Sequence, residues 1–268
     1  MVNLETAITT RGDPAPKDFH FRTPATAFAA LRGAGIDLAT MANNHAADYG
    51  SVGLSDTLAA IRTSHFPVVG IGADANAAFA PWRTTVHGVK LAVIAASQVR
   101  DETLANYSAG PSSPGIASAD SDRLVAAVRA AKAAGYVVVV YLHWGVEFED
   151  CPNGDQRGLA DALARAGATA IIGTHVHVLQ GAGWRPDGAY VAYGLGNYLW
   201  WRSFGNSQDD NGVLTLTFRH DRVVAARFAP AHLNDRGIPV PATGAEATRI
   251  NTQWAHVRQC AGLAPRPD

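Results

Sequence analysis

The run Tyr136-Val137-Val138-Val139-Val140-Tyr141-Leu142, followed by His143-Trp144-Gly145-Val146-Glu147, decides how this 268-residue chain is read. An unbroken apolar stretch of that length makes a strand covered on both faces, as at the centre of a parallel sheet. At its carboxyl end the chemistry switches abruptly to imidazole, indole and carboxylate. Two other apolar runs end the same way. Ile36–Ala42 is followed by Asn43-Asn44-His45-Ala46-Ala47-Asp48-Tyr49-Gly50, and Thr169–Gly173 by Thr174-His175-Val176-His177. Ligands in open α/β sheets gather outside the carboxyl ends of the strands, so these loops are expected to meet at one crevice.

Helical segments separate the runs. One is opened by Thr23-Pro24 and closed by Gly33 and Gly35; others span Ser51–Thr63, Ser121–Ala134, Asp155–Ala166 and Ala245–Gln259. Further strands are expected at Pro67–Ile71 and Ala189–Tyr193. Hairpins are expected where Arg83–Val86 meets Lys90–Ala96 and where Val213–Arg219 meets Val223–Ala229. The alternation predicts an α/β layered fold. Asp101–Ser118, rich in Ser, Pro and Gly, reads as a lid or a surface excursion. With no repeat and no low-complexity linker, residues 1–268 are expected to form a single domain.

Composition removes several classes of function. Hydrophobic residues make up 47% and charged residues 17%, the latter well below the roughly 25% of an average soluble chain. A disordered, charge-rich chain is therefore excluded. Lys+Arg at 22 against Asp+Glu at 23 leaves a net charge of -1, which argues against nucleic acid or an anionic membrane surface as main partner. Cys151 and Cys260 lack a C-x-x-C spacing and read as two separate thiols in a reducing compartment. No apolar run nears the roughly 20 residues of a membrane span, and Met1–Glu5 lacks the basic start of a signal peptide, so a cytoplasmic location is expected. Ten histidines point instead toward metal binding or acid/base chemistry.

His175 and His177 are two apart, which on extended backbone sets both imidazoles on one side as metal ligands. Asn44 offers a neutral oxygen ligand. His45, pointing another way, is free to act as acid or base. Asp48 either holds the His45 ring or caps the next helix. Glu147 orients a ligand, reaches substrate or is merely solvated. Gly194-Leu195-Gly196-Asn197 either lets backbone approach a ligand or makes a tight turn. Trp200-Trp201-Arg202 reads more readily as cover for the core than as a pocket wall.

Together Asn3-Leu4-Glu5, Asn43-Asn44-His45-x-x-Asp48-x-Gly50, His143-Trp144-Gly145-x-Glu147, Gly173-x-His175-x-His177-x-x-Gln180 and Gly194-x-Gly196-Asn197 resemble the motif series of the CapA (poly-γ-glutamate capsule biosynthesis) family. The series runs in order from residue 3 to about residue 200, leaving 201–268 for closing strands and a terminal helix. The resemblance implies a calcineurin-like metallophosphoesterase fold, a four-layer α/β/β/α sandwich with a dinuclear site for divalent ions (Mn, Fe, Zn or Mg). It implies that Glu5 bridges two metals, that Asn44, His143 and His175 bind one and His177 the other, and that His45 is the general acid. Family members normally begin with a strand ending in Gly-Asp, whose aspartate is a further ligand. Here Met1 lies just before Asn3-Leu4-Glu5 and that strand is missing from the sequence. Either the true start lies upstream of this Met, or the site is incomplete and holds one ion or none in place of two; in the second case the sheet edge at residues 1–5 calls for cover, with a second copy of the chain as the candidate partner.

Two enzymatic readings follow. In the first, metal-activated water hydrolyses a phosphoester or γ-glutamyl amide, with His45 protonating the leaving group. In the second, the same crevice works without metal, as a dehydratase, lyase or cyclase on a small organic substrate. There His45, His143, His175 and Glu147 would move protons in a site kept dry by Trp144, Trp200 and Trp201. A non-catalytic scaffold would not need histidines at several strand ends.

Overall fold

The central strand runs over Val137–Trp144, with all eight residues buried, in a mixed α/β structure built of several sheets and helices. His143 and Trp144 thus belong to the strand itself, not to the loop that the sequence suggested. The coordinates, a computed structural model, describe residues 1–120 and 122–267. They divide into two units: Met1–Thr84, Ala92–Ala131 and Val140–His143 form the first, and Thr85–Leu91, Lys132–Val139 and the chain from Trp144 onward form the second.

In the first unit the strands Val2–Asn3, Ala39–Thr40 and Val68–Val69 pair in parallel, with Ala39–Thr40 in the middle. They are shorter than their apolar runs. Gly70, at φ +86°, turns the chain between Val68–Val69 and Ile71–Gly72, and a Cβ there would crowd Ala42 and Ala95. Ile71–Gly72 pairs instead with Gly115–Ile116, inside the stretch expected to be a lid or a surface excursion. That stretch also holds the helix Glu102–Tyr107, whose first turn is capped by Asp101 accepting from Leu104 N at 3.1 Å. It is a packed part of the unit, with Leu104 and Ile116 in the core.

Thr23 pairs in a two-residue strand with Ile8, so the first helix starts later than expected, at Thr26–Gly33. The helix Gly50–Ser64 follows the expectation closely, and Asp122–Ala133 does so too; its expected first residue, Ser121, lies outside the described residues. Ile8, Phe28, Met41, Leu54 and Phe66 fill the core, with Phe28 stacked on Phe66 at 5.6 Å. Each such side chain contributes about 1.5–3 kcal/mol on burial.

In the second unit Tyr190–Ala192 pairs in parallel with Ala170–His175 and antiparallel with Ala182–Trp184. The long hairpin Asp210–Arg219 and Arg222–Leu233 turns at His220, φ +54°, and Pro239–Pro241 adds a third strand. The helix Gly154–Ala166 starts at a capping box between Asn153 and Gln156 and stops at Gly167, φ +106°. The terminal helix is Gly244–Ala261. Cys151, before the first of these helices, and Cys260, in the last turn of the second, form a disulfide with Cα atoms 5.8 Å apart. This corrects the expectation of two separate thiols. The partners are 109 residues apart in sequence, and only the packing of two helix ends brings them together. No helix among the described residues is long and apolar enough to cross a membrane.

Candidate functional site

In the first unit the site grows from the turn after Ala39–Thr40. Asn43, fully buried, donates from Nδ2 to Leu4 O at 2.9 Å and Asn3 Oδ1 at 3.0 Å, while its own Oδ1 accepts from His45 N at 3.1 Å. One side chain thereby ties the turn to the first strand and aims the next two residues. Asn3 Nδ2 donates to Glu5 Oε2 at 2.8 Å. Glu5 Oε1 lies 3.6 Å from His143 Nε2 and 3.9 Å from His45 Nε2, and His143 Nε2 meets Asn44 Oδ1 at 2.8 Å. The carbonyl of Asn44 accepts from Lys17 Nζ and from Thr103 Oγ1, each at 2.6 Å, which pins its backbone. Burial pushes the Tyr141 phenol above its ordinary value, and the charge of Glu5 adds to the effect, so this hydroxyl stays neutral.

His45 has a separate partner. Its Nδ1 donates to Asp48 Oδ2 at 2.7 Å, and the same oxygen accepts from Phe21 N at 2.6 Å. Asp48 Oδ1 is ion-paired with Lys17, and Asp48 has no solvent exposure. The Phe21 ring covers the imidazole at 4.5 Å. Of the two roles open to Asp48, helix capping is not taken: Gly50–Ser64 starts with no side-chain cap. Thus Glu5, Asn44, His45, Asp48 and His143 meet within one unit.

His175, His177 and Glu147 belong to the other unit. His175 ends its strand at φ +91° and His177 follows at φ +57°, so the backbone here is left-handed and not extended. The two rings approach to 5.9 Å through this turning of the chain, not through the alternation of a strand. Such angles are uncommon for residues other than glycine and mark a place where the surroundings dictate the backbone. Among those surroundings, Val176 O accepts from Phe148 N at 2.8 Å, and Gln180 joins Gln156 to Glu149 O.

Asn197 sets the His177 ring. Its Nδ2 faces the carbonyls of His177 at 3.4 Å and Gln208 at 3.3 Å, leaving Oδ1 to meet His177 Nδ1 at 2.7 Å. An amide oxygen only accepts, so the proton sits on Nδ1 and Nε2 keeps its lone pair. Glu147, half exposed, stands 4.0 Å from that Nε2. Trp200 packs on His177 at 4.7 Å between ring centroids, whereas Trp201 is exposed. Trp144 is fully buried, stacked on Tyr193 and bonded from Nε1 to Tyr193 O at 2.9 Å.

Each unit thus carries donor types suited to a divalent ion: the Glu5 carboxylate, the Asn44 amide oxygen and the His143 imidazole in the first, and the two imidazoles of His175 and His177 in the second. Sequence reasoning missed Lys17, for which no motif gave a signal. It also missed Asn197 as the partner of His177, although the Gly194-x-Gly196-Asn197 turn marked the place.

Comparison with known proteins gives this arrangement a family. The chain is 32% identical over 202 residues to the PGA biosynthesis protein CapA of Bacillus subtilis, covering 73% of this chain and 50% of that one. It is 29% identical over 235 residues to the capsule biosynthesis protein CapA of Bacillus anthracis, covering 86% and 56%. The chain spans about half the length of these curated relatives. A crystal structure of a hypothetical protein from Thermus thermophilus shares the fold, with a TM-score of 0.52 at 19% identity over 76% of this chain and 79% of that one. The model of the bacterial capsule synthesis protein family PGA_cap matches residues 1–200, which carry every residue of the arrangement just described except Gln208 and Trp201, and the chain belongs to that family.

Proposed function

We propose that this chain is a metal-dependent hydrolase serving capsule or poly-glutamate biosynthesis, the role in the names of its relatives, and that it cleaves a phosphoester or γ-glutamyl amide bond. The observation that carries the reading is the His45 imidazole, held at Nδ1 by a buried carboxylate while Nε2 faces Glu5 beside His143 and Asn44.

Glu5, Asn44 and His143 in the first unit, and His175 and His177 in the second, are donors of the kind that would hold a divalent ion, whose chemistry is to polarise an oxygen and bring the pKa of a bound water toward about 7. The chain's own residues do the rest. His45 delivers a proton from Nε2 to the leaving oxygen or nitrogen. Asp48 fixes the ring and stabilises the imidazolium from which that proton departs, and Lys17 balances the buried carboxylate. Asn197 keeps the His177 proton on Nδ1, so that Nε2 can donate its lone pair.

Elemental analysis of the purified protein and of H45A, H143A and H177A tests this, alongside hydrolysis of bis-p-nitrophenyl phosphate and γ-glutamyl-p-nitroanilide. H143A and H177A are expected to lose metal, and a chelator to abolish turnover. Equal metal content in all the variants, or activity that survives chelation, overturns the proposal.

A further inference from the structure

The segment between Asn197 and the long hairpin holds a cation that the hydrolytic reading does not use. The Arg202 guanidinium carbon lies 4.5 Å from the Trp201 ring centroid and 4.9 Å from that of Phe204. Among the described residues, no carboxylate pairs with it. Three other cations of the same unit are paired with carboxylates: Arg185 with Asp161 and Asp187, Arg249 with Asp210 and Glu246, and Lys132 with Asp221.

The platform under Arg202 is fixed at both ends. Asp209, almost fully buried, accepts from Ser203 Oγ and Gly205 N at 2.7 Å and from Phe204 N at 2.8 Å. Trp200 N donates to Gly237 O at 2.9 Å. Gly237 sits at φ +69°, and a Cβ there would overlap the Trp200 carbonyl, so the contact depends on glycine. Aromatic rings then connect Arg202 to the site. Phe148 lies 6.4 Å from Phe204 and 6.0 Å from His177, and Trp200 packs on His177.

Aromatic rings cover the face of a guanidinium and leave its in-plane N–H edge outward, the edge that grips carboxylates and phosphates in pairs of hydrogen bonds. A loop held by Asp209 and Gly237 has little freedom to lose on binding. We propose that Arg202 is an oxyanion subsite, reading a carboxylate or phosphate that the substrate carries beyond the bond at His177. This rests on the hydrolytic reading and narrows its substrates to molecules with a second acidic group.

The test is an NMR titration of the ¹⁵N-labelled full chain, following the Arg202 Nε–Hε signal, assigned through R202K. The probes are tri-γ-glutamate, its methyl ester and inorganic phosphate, each added with and without a chelator. Saturable shifts with tri-γ-glutamate but not its ester identify a carboxylate subsite, and shifts with phosphate alone a phosphate-ester subsite; either supports the proposal. R202K, which keeps the charge but loses the fork, is expected to weaken binding about tenfold. W201A should weaken it too while the remaining spectrum stays folded. No shift with either anion, or an ester that binds as tightly as the acid, overturns the subsite. Because the signal reports binding in the presence of chelator, it stands or falls independently of metal content and turnover.

Discussion

His45 and His177 are each pinned at Nδ1 by a side-chain oxygen at 2.7 Å, but the oxygens differ in charge. Asp48 is a carboxylate without solvent exposure, balanced by Lys17. Asn197 is a neutral amide whose nitrogen is taken up by two carbonyls. A carboxylate stabilises the cation formed as a proton passes through the ring, the part that the aspartate plays in a hydrolytic triad. An amide fixes the tautomer without favouring the charged form, which suits a ring that must offer a lone pair. On the proposed reading, the charge of a single neighbour fits one residue type for opposite duties.

The sharpest way to break this comparison is to remove each ring. H45A should lower turnover by about 10²–10⁴-fold with metal content unchanged. H177A should lower metal content first and turnover as a consequence. Parallel losses of both quantities in the two variants would erase the distinction.

Next in size is the covalent tie, which only the unit of His177 possesses. Opening a loop as long as that between Cys151 and Cys260 costs about 5 kcal/mol in the chain-entropy account. The C151S/C260S variant should therefore unfold at clearly lower urea. Tryptophan fluorescence is the readout, since all tryptophans except Trp82 lie in that unit. An unchanged midpoint, or two titratable thiols in the native chain, would show that the sulfurs are not joined.

Smaller again is the ion pair behind His45. K17M leaves a buried carboxylate without its counter-charge and should cost about 3 kcal/mol in stability, measured by chemical denaturation. A loss below about 1 kcal/mol would mean that His45 and Phe21 N–H alone satisfy Asp48. The mildest expected effect is that of N197A, which removes a neutral partner. Metal affinity should fall about 10–100-fold while the fold persists, as competition with a chelating dye would report. Unchanged affinity would deny Asn197 any role in setting the ring.

Long elements were legible in the sequence, and short ones were not. The strand Val137–Trp144 declared itself over Val137–Leu142, because burial on both faces leaves an unbroken apolar run, and the helix Gly154–Ala166 was legible as Asp155–Ala166. Two-residue strands such as Val2–Asn3 and Ala7–Ile8 carry no period and exist only through their partners. The histidines were visible as residues but not as geometry. The local spacing of His175 and His177 suggested extended backbone, whereas tertiary packing holds both at positive φ. Lys17 and the Cys151–Cys260 pair escaped because each meets its partner across a long span of chain. Asn44, His45 and Asp48 were readable because one turn contains them all.

Gly173 occupies a strand position where the space for a side chain is already filled. A Cβ there would strike the Trp144 indole nitrogen and the Tyr193 carbonyl, the two groups that bond to each other. The ring of one strand serves as the missing substituent of another, two residues before His175. Neither member can therefore change alone without cost: a larger residue at 173 evicts the indole, and a smaller one at 144 opens a void beside Tyr193. Positions 144 and 173 should drift together across relatives, as a single inherited unit.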